Sequence, residues 1–329
     1  MAILKCDKCG CLREVSNQYL GKKVKCPACQ QSTQIHDTVT FLTKALQKLT
    51  LLQTEINDLK QSTPPASTDT KVSPTTKPLN VFNTTAFTEA DQYVPIVDWF
   101  KAKQIQVEVD EKAVDTTGYF DEIAVKLGDN YKVLKEVSDK IKRTQNKGYV
   151  KTTLNLSKHS QKEQGIIKDF CKALYEIAFI TKYFDQKVEK RIMLSLQTAP
   201  QIVNFFNEEW LEWFVFMKLI VSFQEQGFSF SCLRSFTIQF PNQDKHEIDL
   251  FFLVNDSIPL LIECKSGEFR SFLQKYSILR RRLKIDKSHF LMLVLDTNSE
   301  QTQSLTSMFD LTVLNEKNFL SYVAHVLAG

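Results

Sequence analysis

Asp249 and, after thirteen intervening residues, Glu263 with Lys265 set two carboxylates and one ammonium into otherwise apolar runs. The runs Glu247–Val254 (EIDLFFLV) and Ile258–Lys265 (IPLLIECK) are joined by Asn255-Asp256-Ser257, a turn that suits antiparallel neighbours. Strand alternation puts Glu263 and Lys265 on one side and Ile262 and Cys264 on the other. A charged pair on a face otherwise fit for a core is costly unless it has partners or a task. Asp249, near the start of the preceding strand, can lie across from Glu263, so two carboxylates come within reach of one divalent cation. Such a cation attracts phosphate, and Lys265 is placed to orient or polarise an attacking water and to offset charge developing on phosphorus. The competing arrangement is a buried ion pair, Lys265 with Glu263 or Asp249, that merely holds a hairpin together.

A second constellation is at the start of the chain. Cys6 and Cys9 are followed, sixteen residues on, by Cys26 and Cys29, each pair at the two-residue spacing that presents two thiolates to one metal. Four thiolates suit tetrahedral zinc, and in so short a segment the metal would supply most of the folding free energy. Cys11 is a spare that could compete for the metal or simply be exposed, and a thioredoxin-like redox pair is the other reading of such spacing. The remaining cysteines, Cys171, Cys232 and Cys264, are scattered through apolar segments, as buried small hydrophobes in a reducing compartment would be.

These groups need elements to position them. Residues 1–36 read as the zinc-binding segment. Residues 37–60 carry Val39, Leu42, Leu46, Leu49, Leu52, Ile56 and Leu59 at steps of three or four, an amphipathic helix. About three heptads is the minimum for a coiled coil, so the stripe either pairs two chains as a homodimer or packs on the rest of its own chain. Residues 61–84 are a Ser, Thr and Pro-rich linker expected to be disordered. Residues 85–200 read as a helical region: Thr88–Lys103 and Tyr119–Lys147 by period, a strand at Val150–Leu156, and a helix at Ser160–Ile180 opened by a Ser160/Glu163 capping box. A hairpin follows, Thr181–Phe184 with Lys190–Leu196 around Asp185-Gln186, and helices before a two-stranded wing suggest a winged-helix unit. Residues 201–329 form an α/β core, which makes the chain an α+β or α/β multidomain protein.

Asp249, then Glu263-Cys264-Lys265 on a hydrophobic strand, resembles the PD-(D/E)XK nuclease superfamily, whose restriction-endonuclease-like core is a central sheet flanked by helices. That superfamily often carries an acidic residue on the helix before the first core strand, which here implies Glu212 in Trp210-Leu211-Glu212, among Trp213, Phe214 and Phe216. The combination is similar to the nuclease domain of CRISPR-associated ancillary nucleases activated by cyclic oligoadenylates, over about residues 205–296. The cysteine segment resembles the zinc ribbons of many nucleic-acid enzymes. Two departures stand out: Ile248 replaces the Pro of the motif, which the superfamily tolerates, and no nucleotide-sensing Rossmann-like alternation precedes the core, which leaves cyclic-nucleotide activation unsupported. The resemblance implies a Mg2+- or Mn2+-dependent phosphodiesterase, an endonuclease of DNA or RNA in defence or repair, with Asp249 and Glu263 as metal ligands, Lys265 at the water and Glu212 ordering the metal shell.

Phe269–Leu283 reads as a helix after the Ser266-Gly267 turn. From Lys265 to Lys287 eight basic residues face two acidic ones, a local excess larger than the net charge of +4 for the whole chain. Arg270, Lys275, Arg280, Arg281 and Arg282 are therefore candidate phosphate contacts, salt-sensitive and blind to sequence. His246 is a further candidate contact, Glu208 and Glu209 read as exposed acids at a helix start, and Asp110, Glu111 and His159 as solvated surface. The 329 residues are 43% hydrophobic and 24% charged, which excludes a mainly disordered chain. The greasiest stretch, Trp210–Phe223, is broken by Glu212 and Lys218, so no membrane partner is expected, and with no secretory leader visible a cytoplasmic location is. Nucleic acid is the expected partner, with a protein partner at the ribbon; the alternative function is a non-catalytic adaptor, for nucleic-acid binding or protein docking, whose nuclease fold survives as a scaffold.

Overall fold

The computed structural model describes residues 2–5, 12–15, 20, 22–26, 29–37, 90–109 and 118–328. Cys6, Cys9, Cys11, Asp110 and Glu111 lie outside these residues, as do nearly all of the 37–60 stripe and the 61–84 linker. Two compact units divide the chain, 1–75 and 76–329.

Among the described residues the first unit has four strands, β1 (Ala2–Lys5), β2 (Leu12–Val15), β3 (Lys23–Lys25) and β4 (Ser32–Asp37), in the order β2-β1-β4-β3, all antiparallel. Its described apolar cluster is small: Ala2, Leu4, Cys26 and Ile35, with Val24 and Cys29 against it. Cys26 opens a turn in which its N–H donates to Gln31 O (2.8 Å) and its carbonyl accepts from Gln30 N (2.9 Å), bringing Cys29 round beside it.

The second unit begins with α1 (Ala90–Lys101) and a short strand, β5 (Gln106–Glu108). Next come α2 (Tyr119–Asp129), α3 (Tyr131–Asn146), β6 (Lys151–Asn155), α4 (Gln161–Glu176), β7 (Ile180–Gln186) and β8 (Arg191–Leu196). α5 (Pro200–Asn204) runs through a π-helical turn, Phe205–Glu209, into α6 (Trp210–Gln226). The remainder is β9 (Phe230–Gln239), β10 (Lys245–Val254), β11 (Ile258–Lys265), α7 (Leu273–Leu283), β12 (Phe290–Val294), α8 (Ser299–Met308), β13 (Thr312–Leu314) and α9 (Phe319–Leu327). Six strands make one sheet in the order β13-β12-β11-β10-β9-β5, antiparallel from β5 to β11 and parallel from β11 to β13. Helices cover both faces: α1 and α7 with Ile96, Phe100, Leu273, Tyr276 and Leu279 on one, α6 and α9 on the other.

α6 explains the layering. Ten of its seventeen residues are buried, on every side of the helix, so it cannot lie on a surface. One side packs on the sheet through Phe216 and Phe223 against Phe252, and the other receives α2 and the three-stranded sheet β6-β8-β7. The apolar core is continuous from Ile123 to Val323 and crosses 200/201 without interruption. The Ser160/Glu163 capping box is present, and the β7–β8 hairpin turns at 187–190 rather than at Asp185-Gln186, both of which remain in the strand. The helical stretch Tyr119–Lys147 is two helices, α2 and α3, divided at Asn130, whose side chain reaches back to Lys126 O (3.1 Å). No helix among the described residues is long and apolar enough to cross a membrane.

Where α2 meets α6, a Cβ on Gly128 would stand 2.2 Å from the Phe214 ring. Gly128→Ala is therefore expected to destabilise the unit by about 1–3 kcal/mol through overpacking. Gly128→Ala/Phe214→Leu should recover part of that loss. Thermal melts decide: a single variant as stable as the parent would show that α2 and α6 are not this close.

Candidate functional site

Between β9 and β10 the ladder pairs Leu250 with Arg234 and Ile248 with Phe236 but skips Asp249 and Ser235. Ser235 is left-handed there, φ 47°, a strained conformation for a residue with a side chain. Side-chain alternation inverts at the same point. Leu250, Phe252 and Val254 face the α6 core, whereas Ile248 faces the α1/α7 core, and Phe236 and Ile238 follow it on β9. This local break turns Asp249 away from the pattern of its strand, a common use of irregularities in sheets near functional sites. Pairing of β10 with β11 also stops at Leu250↔Ile262. Beyond it Asp249 Oδ2 accepts the Cys264 N–H at 2.7 Å, so a carboxylate replaces the next backbone acceptor of the ladder.

Asp249, Glu263, Lys265 and Glu212 come together around this break. Lys265 Nζ stands 3.3 Å from Asp249 Oδ2 and 3.8 Å from Glu263 Oε2. Glu263 is 1% exposed and neither of its oxygens makes a hydrogen bond of ordinary geometry. Burial, then the Asp249 charge, hold its carboxyl well above the usual range, against the favourable influence of Lys265 and the Tyr276 hydroxyl. Glu212 enters from α6: Arg234 Nη1 donates to its Oε2 at 3.1 Å and the Ser235 hydroxyl at 2.8 Å. Burial and Asp249 raise it to about 8, opposed by Arg234. Burial alone would lower Lys265, but Asp249 and Glu263 hold it above the ordinary lysine value, so it is an ammonium and a donor, not a base.

Three residues of the site have no counterpart in the sequence reading. Arg234 is buried, bonded to Glu212 and stacked 3.8 Å over Trp213; a lone Arg in an apolar strand run is the signal that could have found it. Ser235 has no sequence signal. Tyr276, on the inner side of α7, lies beside Glu263 and has Lys265 5.6 Å from its ring, and burial first, then Glu263, raises its phenol. Glu209 corrects an expectation. It is half-buried inside the π-turn, its carboxyl raised by burial, while Glu208 is exposed, and neither begins a helix because α5, the π-turn and α6 are continuous.

The basic helix is less available than its composition suggests. Arg280 is spent on Ile285 O and Asp310, and Arg282 on Asp244 (2.9 Å), Asn242 and the Phe240 ring. Arg270, which pairs with Glu268, and Arg281, whose Nε bonds Ser277 O, are exposed, as is Lys275, its ammonium 5.7 Å from the Tyr276 ring. His246 is half-buried against Phe240, and burial followed by Lys275 and Arg282 lowers it, so it is neutral near pH 7. His159 is not fully solvated, lying 3.6 Å from Glu136. Among the described residues no group of three or more His, Cys, Asp or Glu is placed to hold a metal ion. Two carboxylates with a phosphate oxygen and water are nevertheless the ordinary donor set of Mg2+, and the buried Glu263 oxygens are unfilled acceptors of that kind.

No protein-family model matches the sequence, and no curated protein does. Among solved structures, protein VC1899 from Vibrio cholerae is 15% identical with a TM-score of 0.48, over 71% of this chain and 60% of that one. Can2 from Sulfobacillus thermosulfidooxidans, solved with cyclic tetra-adenylate, is 12% identical with a TM-score of 0.48, over 71% of this chain and 61% of that one. This chain thus spans about three fifths of the length of either. At this distance the reading of the site rests on its own side chains.

A raised carboxyl makes the folded state the better proton binder above the ordinary carboxylate range. The stability carried by Glu263 is therefore present in mild acid and lost as pH rises through its folded value. Without added divalent metal, the melting temperature should fall between about pH 5 and pH 8, with Glu212 adding to the slope. Glu263→Gln should flatten that slope and melt higher at the alkaline end, by on the order of 1 kcal/mol or more. Equal slopes would mean that Glu263 is not buried as described.

Proposed function

We propose that this chain is a metal-dependent phosphodiesterase acting on nucleic acid, with Asp249 and Glu263 holding Mg2+ or Mn2+. The observation that carries the reading is Glu263: a buried carboxyl with no hydrogen bond of ordinary geometry, only the Tyr276 hydroxyl and the Lys265 ammonium (3.8 Å) beside it, next to a second carboxylate. A purely structural ion pair of Lys265 with Asp249 or Glu263 is the competing arrangement, and it would leave a buried carboxyl without close partners, which is costly. Lys265 is shared between Asp249 (3.3 Å) and Glu263 (3.8 Å), so a divalent cation could take up the Glu263 oxygens that no close donor fills. A divalent ion there would supply Lewis acidity toward a phosphate oxygen and a water acidified for attack. Lys265, fixed as an ammonium, donates to that water or to a non-bridging oxygen and offsets charge gathering on phosphorus. Asp249 is held by the Cys264 N–H, so its remaining oxygen is presented in a fixed direction. Glu212, tied by Arg234 and Ser235, orders the polar surround of the metal from the α6 side.

Incubating the full chain with linear, circular and single-stranded DNA and with RNA, with Mg2+, Mn2+ or no divalent metal, tests this. Metal-dependent cleavage is expected, reduced about a hundredfold or more in Asp249→Asn and in Lys265→Ala. Cleavage unchanged by both substitutions would remove the site assignment, and no cleavage of any substrate would favour the adaptor reading.

We further propose that Cys26 and Cys29, with Cys6 and Cys9, bind one structural zinc in the first unit, as a recognition or docking module. What supports this is the turn that brings Cys29 beside the buried Cys26, both against Ala2, Leu4 and Ile35. Metal analysis of the purified chain should give near one zinc, lost in Cys26→Ser together with folding of that unit. A chain with no zinc and an intact first unit refutes it.

A further inference from the structure

The sheet β6-β8-β7 buries one face and exposes the other. Leu154, Ile192, Leu194 and Leu196 point into the core. On the opposite face, cross-strand pairing sets Thr153, Met193 and Phe184 in one row and Lys151, Ser195 and Lys182 in the next. Solvent-exposed faces of antiparallel sheets are ordinarily polar. Here Phe184 is 60% exposed, Met193 45%, and Tyr149, at the start of the same sheet, 65%. Three large apolar side chains on one open face call for an occupant.

The charge around them identifies its chemistry. The face floors a concavity of about 710 Å3 between the sheet and the end of α3. Lys140, Arg143 and Lys147 rim it from α3, and Lys151 and Lys182 from the strands; among the described residues that line it none is acidic. On α7, by comparison, Arg280 and Arg282 are paired with Asp310 and Asp244. An apolar peptide would not explain five cations, and an acidic peptide would not explain two exposed aromatic rings with a Met between strands. A single-stranded nucleic acid accounts for both: unstacked bases lie on aromatic and thioether surfaces while the backbone follows the cationic rim. A duplex keeps its bases stacked on one another and offers only phosphates.

We infer that the exposed face of β6-β8-β7, with Tyr149 and the basic end of α3, is a binding platform for single-stranded nucleic acid, with Phe184 as its principal stacking residue. The inference shares no residue with the carboxylate site. It rests on the nuclease reading only so far as it names the surface that would hold that site's substrate.

Fluorescence anisotropy of the full chain with a labelled 20-nucleotide strand, as DNA and as RNA, and with the matching duplex, tests it. Omitting divalent metal separates binding from cleavage: binding without cleavage in the earlier assay sustains the platform while the nuclease reading fails, and cleavage without single-strand binding does the reverse. Single strands are expected to bind more tightly than duplex, with affinity falling steeply with salt. Phe184→Leu should weaken single-strand binding about tenfold and Phe184→Tyr should preserve it, because a tyrosine ring still stacks. Arg143→Gln/Lys182→Gln should lower the slope of log affinity against log salt by about one per lost phosphate contact. The DNA and RNA arms show which polymer the platform prefers. Phe184→Leu binding like the parent, or tighter binding of a poly-glutamate peptide or of phosphatidylserine vesicles, overturns the proposal. All three side chains are exposed or at the rim, and melts of each variant identify any loss of fold.

Discussion

Three carboxylates, Glu212, Asp249 and Glu263, are withdrawn from water at one place, and the fold supplies two cations against them, Arg234 and Lys265. That imbalance governs the neighbourhood. Arg234 must be buried to reach Glu212, and its guanidinium then needs the Trp213 face as a second surface. Lys265 must sit on the other side of the sheet, where Tyr276 and α7 close over it. Asp249 can touch both sides only because β9 and β10 lose their pairing there and invert their alternation. A flat, regular sheet would have sent Asp249 and Glu212 to opposite faces with an apolar layer between them. The left-handed Ser235 is the local cost, and its hydroxyl returns part of it through Glu212.

Some of this was legible in the chain. Alternation in Ile258–Lys265 predicts which side chains share a face, the Asn255-Asp256-Ser257 turn predicts the hairpin, and Ser160 with Glu163 predicts a helix start. These are local rules acting over a few residues. The break at Asp249 and Ser235 is not local: it depends on what lies opposite in the next strand, and EIDLFFLV contains no Gly or Pro to announce it. Nothing in the period of Tyr119–Lys147 says that Gly128 must give way to Phe214, almost ninety residues later. Charge runs mislead most, because composition counts Arg280 and Arg282 as available while tertiary structure assigns them to Asp310 and Asp244.

The two basic regions of the second unit illustrate that last difference. α7 is dense in arginine, yet two of its three guanidinium groups carry out structural tasks: Arg280 closes a helix end through Ile285 O and ties α7 to Asp310, and Arg282 pins the β9–β10 turn. The β6-β8-β7 face is less conspicuous in sequence because its lysines come from three separate elements. Only the register of β8 with its two neighbours lines them up with Phe184 and Met193.

The π-helical turn at Phe205–Glu209 sets the rotational phase of everything after it. A π-turn accommodates one more residue than an α-turn, and one residue corresponds to about 100° of rotation about a helix axis. Glu212 stands three positions beyond that insertion and meets Arg234 only in this phase. The helix is apolar all round, so sequence alone would accept almost any rotation of it. Deleting one residue from 205–209 would leave a perfectly good buried helix and a continuous core, yet swing the lone carboxylate of its first turn into a wall of hydrocarbon. Chemistry at this site is thus addressed by a count of residues rather than by their hydrophobicity, and length changes here would be far less tolerated than substitutions.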